Sequence, residues 1–285
     1  MTALAIVTSD DAAWIGSDGA SYTEPEGTLR QVVPKVILCP EWECVIGSRG
    51  MGGSAEAFRA AAQWSGVADF DGLLARAADL AREADDGLLV LHRGRSVHFT
   101  VVLVGYSRAR RRFETHTVRT RLGLAWSQDE GRTVEVPPFT VSEVPGLALL
   151  PVPPASTAAM IGLRLPVAGE PFSIANPEHF VQLAVLGCRF DEGHRDGDPD
   201  GRRFIGVGGF VQLTRLVCHP SPAPEGYPGA DRHVIVMDSQ ITHRWPDVIG
   251  EPIQAMSGCL PYWTGEPLPE APAPQPEEAP AEAAE

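Results

Sequence analysis

Strand-like and helix-like segments are segregated along this chain, which predicts a layered α+β domain rather than a doubly wound parallel sheet. Three observations carry that expectation. Residues 4–46 read as four short strands separated by polar turns. After the glycine cluster Gly47-Ser48-Arg49-Gly50-Met51-Gly52-Gly53 the apolar period becomes helical, over two successive segments. Strand-like runs then return, interrupted by one further helix, and no internal repeat of fixed period accompanies them.

In order, Leu4 to Val7 is a β-type run and Thr8-Ser9-Asp10-Asp11 a polar cluster that reverses it. Trp14-Ile15 resumes a strand that ends at Gly16-Ser17-Asp18-Gly19, so the opening predicts a hairpin. Residues 20–31, polar with Pro25 and Gly27, predict a loop. Lys35 to Leu38 is a third strand, Glu41-Trp42-Glu43 a turn, and Cys44-Val45-Ile46 a fourth strand running into the glycines. Ser54 is a reasonable N-cap for a helix with Ala57, Phe58, Ala61, Ala62 and Ser65 at helical spacing. Asp71 opens a second, with Leu73, Leu74, Ala77, Ala78, Ala81 and Ala84 on one face and Gly87 closing it.

Strands are expected again over Leu88–Leu91, over 97–103 by alternation, and over Phe113–Val118. Arg108, Arg110, Arg111 and Arg112 lie in the turn between the last two; without interleaved aromatics they read as a solvated turn rather than a binding patch. Residues 120–175 are rich in proline and read as a strand-and-loop insertion. Asn176-Pro177-Glu178 places a cap residue before a proline at the first helical position, and Phe180, Leu183, Ala184 and Gly187 continue that helix to about residue 190. Phe204–Val217 and His233–Met237 are strand-like. From residue 264 to 285 the composition is almost only Pro, Ala and Glu, too polar to bury a core, so a disordered tail follows a single domain over 1–263.

The formal net charge of −14 argues against a nucleic acid or an anionic membrane as partner. Five cysteines without a Cys-x-x-Cys pair suggest neither a disulfide framework nor a zinc knuckle, and a reducing, cytoplasmic setting is expected. No segment has the length of apolar residues that a membrane helix needs. No cofactor or metal is expected either. Asp196-Gly197-Asp198-Pro199-Asp200-Gly201 begins like a calcium loop, but its twelfth position is Val207 where a bidentate Glu is required. Gly206-Val207-Gly208-Gly209 sits inside a strand-like run with no helix after it, which marks close packing or a bulge rather than a dinucleotide site. The eight histidines show no metal-ligand spacing.

The candidate chemistry lies at the start of the chain. Removal of Met1 would give Thr2 both a hydroxyl and a free α-amine, a pairing that makes a nucleophile of a weak hydroxyl. Taken in order, Thr2, the Gly-Ser-Asp-Gly turn with Asp18, Lys35-Val36 opening a strand, Gly47 ending the next, and the Gly-Gly-Ser-Ala-Glu-Ala-Phe run resemble the proteasome-type N-terminal nucleophile hydrolases. The resemblance is in particular to β-type proteasome subunits and their bacterial two-ring relative, over about a third of the chain. The resemblance implies a four-layer αββα sandwich, with two sheets between helical layers, and a homo-oligomer acting on peptide or protein substrates. It also implies the roles. Thr2 Oγ would attack a carbonyl carbon with its own amine as base. Lys35 would stabilise the alkoxide, Asp18 would orient Lys35, and the Gly47 N–H would face the oxyanion.

Two supporting elements of that family have no counterpart here. Ser142, Ser156 and Ser173 lack a glycine context, and no serine follows Asp198 or Asp200 by three, where Gly201 and Arg203 stand. The alternative is therefore a catalytically inactive member of the fold, a structural or assembly protein of a multi-subunit, possibly phage-like, particle. A calcium-stabilised binding module is the third reading.

Overall fold

The opening hairpin forms as its sequence expects. β1 (Leu4–Thr8) and β2 (Ala12–Asp18) pair antiparallel with Ile6 opposite Ile15, and the Ser9 amide closes the turn on the Ala12 carbonyl at 2.8 Å. The computed structural model describes residues 2–23, 27–94, 98–127, 132–153, 155–165, 173–189, 206–221 and 232–253.

The remaining elements follow in chain order: β3 (Ala20–Thr23), β4 (Thr28–Val32), β5 (Val36–Cys39), a 3-10 turn at Pro40–Trp42, β6 (Cys44–Gly50), α1 (Ser54–Trp64), α2 (Phe70–Leu91), β7 (Phe99–Ser107) and β8 (Arg112–Arg119). After these come β9 (Gly123–Ser127), β10 (Arg132–Val136), β11 (Val141–Glu143), β12 (Leu147–Leu150), α3 (Ala155–Met160), α4 (Pro177–Arg189), β13 (Phe210–Ser221) and β14 (Arg232–Arg244). Two five-stranded antiparallel sheets result, ordered β12-β1-β2-β13-β14 and β11-β8-β7-β6-β5, beside the two-stranded pairs β3-β4 and β9-β10.

Alternation along each strand sends successive side chains to opposite faces, and three apolar cores record where those faces go. Leu4, Ile6 and Ile15 of the first sheet meet Val45, Val102, Val104 and Phe113 of the second, so the two sheets pack on one another. The other face of the second sheet (Ile46, Val101, Leu103, Val118) is covered by Phe58 of α1 and Phe70, Leu73 and Leu80 of α2. The other face of the first (Ala3, Ala5, Val211, Leu213) packs against Val181, Leu183 and Val185 of α4.

The expected fold class, an α+β four-layer αββα sandwich, is corrected by the element content. The described chain is mostly antiparallel β-sheet, and its helices are a minor part. The physical reason lies in two segments. Residues 123–150, read from sequence as inserted, contribute four strands, of which β12 pairs with β1 and β11 with β8 at the edges of the large sheets. In the segment 20–31, read as a loop, β3 and the start of β4 pair antiparallel. On the first sheet the helical cover is α4, with only the six-residue α3 beside it, rather than a full layer.

Two boundaries also move. α2 does not close at Gly87 but runs to Leu91, so Leu88–Leu91 is the last helical turn and not a strand; Leu88 is buried while Val90 and Leu91 are exposed. Ser54 is not the N-cap, a position held by Gly53 with φ of 84°, a left-handed conformation that glycine adopts without strain. The Asn176 cap is borne out, its Oδ1 accepting the His179 amide at 3.0 Å. The calcium-like run 196–201 and the tail 264–285 lie outside the described residues.

The arginine-rich turn between β7 and β8 is fastened rather than freely solvated. Glu114, 2% exposed, accepts from Arg110 Nε at 2.5 Å and Arg112 Nε at 2.9 Å, and lies 3.0 Å from His116 Nε2. Asp71, in the first turn of α2, accepts from the Ser107 hydroxyl at 2.7 Å and the Ala109 amide at 3.1 Å. Burial alone would raise the Glu114 carboxyl, but hydrogen bonds from Arg110, His116 and Arg112 more than reverse it and hold it at about 2. A carboxyl lowered in the fold contributes stability that is present above its unfolded value and lost as the pH falls through the folded one. Acid titration of the unfolding free energy should therefore show a Glu114 contribution that declines between about pH 4.5 and about pH 2. A Glu114→Gln chain should lack that decline; an identical acid profile in both would contradict the assignment.

Candidate functional site

The site is built on the open end of β1. Beyond the hairpin ladder the Asp18 amide donates to the Ala3 carbonyl at 3.2 Å, and the Ala3 amide returns a bond to Asp18 Oδ1 at 2.9 Å. Asp18 Oδ2 accepts the Ala20 amide at 3.0 Å and the Gly208 amide at 3.4 Å. One fully buried carboxyl thus ties together the start of β1, the crossing from β2 to β3, and the backbone entering β13. Burial pushes the Asp18 carboxyl above the ordinary 3.8; the nearby Lys35 charge and the Ala3 and Ala20 amides pull the other way without cancelling it.

Thr2 immediately precedes this clasp and is 3% exposed. Lys35 stands at the entry to β5, half-buried, within electrostatic range of Asp18. Gly47 on β6 lies opposite Val36 and Val102. A Cβ added to Gly47 would sit 3.6 Å from Leu4 Cδ1 and 3.8 Å from the Lys35 carbonyl oxygen, which is ordinary contact. Glycine is therefore not required there by crowding. All four sequence-derived residues, Thr2, Asp18, Lys35 and Gly47, gather at one end of the sheet pair. The closest functional link is not made, since no hydrogen bond joins the Thr2 hydroxyl to the Lys35 ammonium among the described residues.

The space between the sheets changes character towards this end. At the far end Phe113 donates its amide to the Ser9 carbonyl at 3.3 Å and the interface is apolar. Nearer Thr2 the strand alternation instead presents Ser17 and Gln212 from the first sheet and Thr100 and Thr117 from the second. Gln212 Nε2 donates to Ser239 Oγ at 2.7 Å, and Thr214 Oγ1 lies 2.8 Å from the same oxygen. Buried hydroxyls and amides cost more to place than methyl groups unless they are hydrogen-bonded, and here Gln212, Thr214 and Ser239 satisfy one another.

Sequence reasoning missed the support behind Asp18. Arg189, at the end of α4, makes a two-pronged ion pair with Asp247 at 2.7 and 2.6 Å, donates to the Val207 carbonyl at 3.1 Å, and lies 4.8 Å over the Trp245 ring. Asp247 Oδ2 also accepts the Gly209 amide at 2.7 Å. A Cβ on Gly208 would fall 2.6 Å from both Arg189 Nη1 and Asp247 Oδ2, so close packing is what these glycines serve, as their position in the sequence suggested. The available signal was Gly206-Val207-Gly208-Gly209 itself. Arg189 and Asp247 are 58 residues apart and carry no local motif.

Among the described residues no group of three or more His, Cys, Asp or Glu could hold a metal, and no helix is long and apolar enough to cross a membrane. Cys39, Cys44, Cys188 and Cys218 form no disulfide. No protein-family model matches the chain, and no curated protein matches it in sequence.

Asp18→Asn should leave one amide donor facing an NH2 group that cannot accept. The expected loss is about 1–3 kcal/mol, the cost of an unsatisfied buried polar group, read as a lower midpoint in chemical denaturation. An unchanged midpoint would contradict the clasp.

Proposed function

We propose that this chain is a proteasome-like N-terminal-threonine amidohydrolase that cleaves peptide bonds after removal of Met1. The observation that carries the reading is the gathering of Thr2, Asp18, Lys35 and Gly47, residues spread over the first 47 positions, at the polar end of the sheet pair. In this reading Thr2 Oγ attacks the carbonyl carbon while the Thr2 amine takes the hydroxyl proton. The leaving amine receives that proton, and water then hydrolyses the Thr2 ester. Lys35 lowers the cost of the alkoxide, with Asp18 balancing its charge. The reading assigns the Gly47 N–H to the developing oxyanion. A cytoplasmic homo-oligomer is the setting we assign to it.

A second reading, a catalytically inactive structural or assembly protein, is favoured by two observations: Thr2 and Lys35 are not hydrogen-bonded, and Thr2 is nearly covered. Intact-mass measurement and turnover separate the two. The hydrolase reading expects Met1 to be absent, and Thr2→Ala to lower hydrolysis of a fluorogenic peptide amide by about a thousandfold or more with the melting temperature unchanged. Retained Met1, or equal turnover by the Thr2→Ala chain, would overturn it in favour of the assembly role.

A further inference from the structure

Two arginines flank the same end of the sheet pair. Arg49 on β6 lies opposite Thr100 on β7, and Thr100 lies opposite Arg119 on β8, so the three stand in a row across adjacent strands. Residues directly opposite in a ladder share a face, and i, i+2 positions in one strand do too. Gly47 faces Leu4 across the gap between the sheets, so Arg49, two positions on, faces the same gap, and Thr100 and Arg119 with it. The row therefore borders the space beside Thr2.

Arg119 is not satisfied where it sits. Its Nη1 is buried without a hydrogen-bond partner, and its stem lies against the backbone of Gly123, where a Cβ would be 2.7 Å from Arg119 Cδ. Desolvation, with the like charge of Arg49, pulls its guanidinium below the ordinary value. Buried cationic donors are ordinarily paired, and an orphan of this kind calls for an explanation. The orphan donor of Arg119, with the Arg49 guanidinium on the same face, is the arrangement that a bound anion would complete.

We propose that Arg119, with Arg49 across Thr100, forms a carboxylate-binding subsite beside Thr2, so that peptides presenting a carboxylate are the preferred ligands. That the carboxylate belongs to a peptide rests on the hydrolase reading. The planar guanidinium offers parallel N–H donors that match the two oxygens of a carboxylate.

The test is equilibrium binding to the full chain carrying Thr2→Ala, so that cleavage does not interfere, read by fluorescence anisotropy. Three labelled alanine pentapeptides serve as probes: one C-amidated with a central glutamate, its glutamine counterpart, and the all-alanine peptide with a free C-terminal carboxylate. At least one carboxylate peptide should bind about ten- to a hundredfold more tightly than the glutamine peptide, an advantage that Arg119→Gln removes and Arg49→Gln reduces. Which of the two binds more tightly assigns the carboxylate to a side chain or to the chain terminus. Because Arg119→Gln removes an orphan charge, its melting temperature should not fall, which separates loss of the subsite from loss of the fold. Equal binding of all three peptides, or an advantage that survives Arg119→Gln, would overturn the subsite. The hydrolase reading is tested separately, by Met1 removal and by turnover against Thr2→Ala, so the two fail on different measurements: an active chain with equal peptide binding overturns the subsite alone.

Discussion

The buried carboxyl of Asp18 is the constraint on which the rest of this end of the molecule depends. Three backbone amides that adjacent strands leave unpaired, those of Ala3, Ala20 and Gly208, find their acceptor in it. Amides buried without a partner are costly, so the carboxyl sets where β1 begins, where β2 turns into β3, and how the chain enters β13. Its own burial is unfavourable, and it is tolerated because the donors and the Lys35 charge offset much of the penalty. Arg189 and Asp247 hold the third donor strand from behind, through Val207 and Gly209. A position 58 residues away in sequence from its ion-pair partner thereby bears on the geometry next to Thr2.

The two large sheets divide the labour along their length. Towards Ser9 they meet through Ile6, Val104 and Phe113, which supply the hydrophobic adhesion between them. Towards Thr2 the same alternation delivers serine, threonine, glutamine and arginine into the gap. The first end makes the sandwich cohere, and the second is where the proposed chemistry is placed. Proposed catalysis at Thr2 and proposed anion binding at Arg119 both draw on that second end, one through the N-terminus of a strand and the other through an uncompensated charge.

Local signals made much of this legible. Thr8-Ser9-Asp10-Asp11 marks the first turn, the glycine cluster marks the change to helix, and Asn176-Pro177 marks α4, because each acts over a few residues. The sheet-dominated architecture was not legible, since β11 and β12 are short edge strands in proline-rich surroundings and owe their conformation to β8 and β1, which are distant in sequence. Leu88–Leu91 looked like a strand because four apolar residues in a row fit either period; the preceding helix simply continues past Gly87. At the site, Thr2, Asp18, Lys35 and Gly47 were legible through the family likeness. Arg49 and Arg119 were not, because their relation exists only through the register of three strands.

The most direct measurement is the titration of the Asp18 side-chain carboxyl by carbon-13 NMR, in the native chain and in Lys35→Met. If Asp18 is the buried clasp and Lys35 the charge beside it, the midpoint in the native chain lies above 3.8 and rises further when Lys35 is replaced. A midpoint at or below 3.8, indifferent to Lys35, would mean that the carboxyl is solvated and that the gathering of residues around Thr2 is not held together as described.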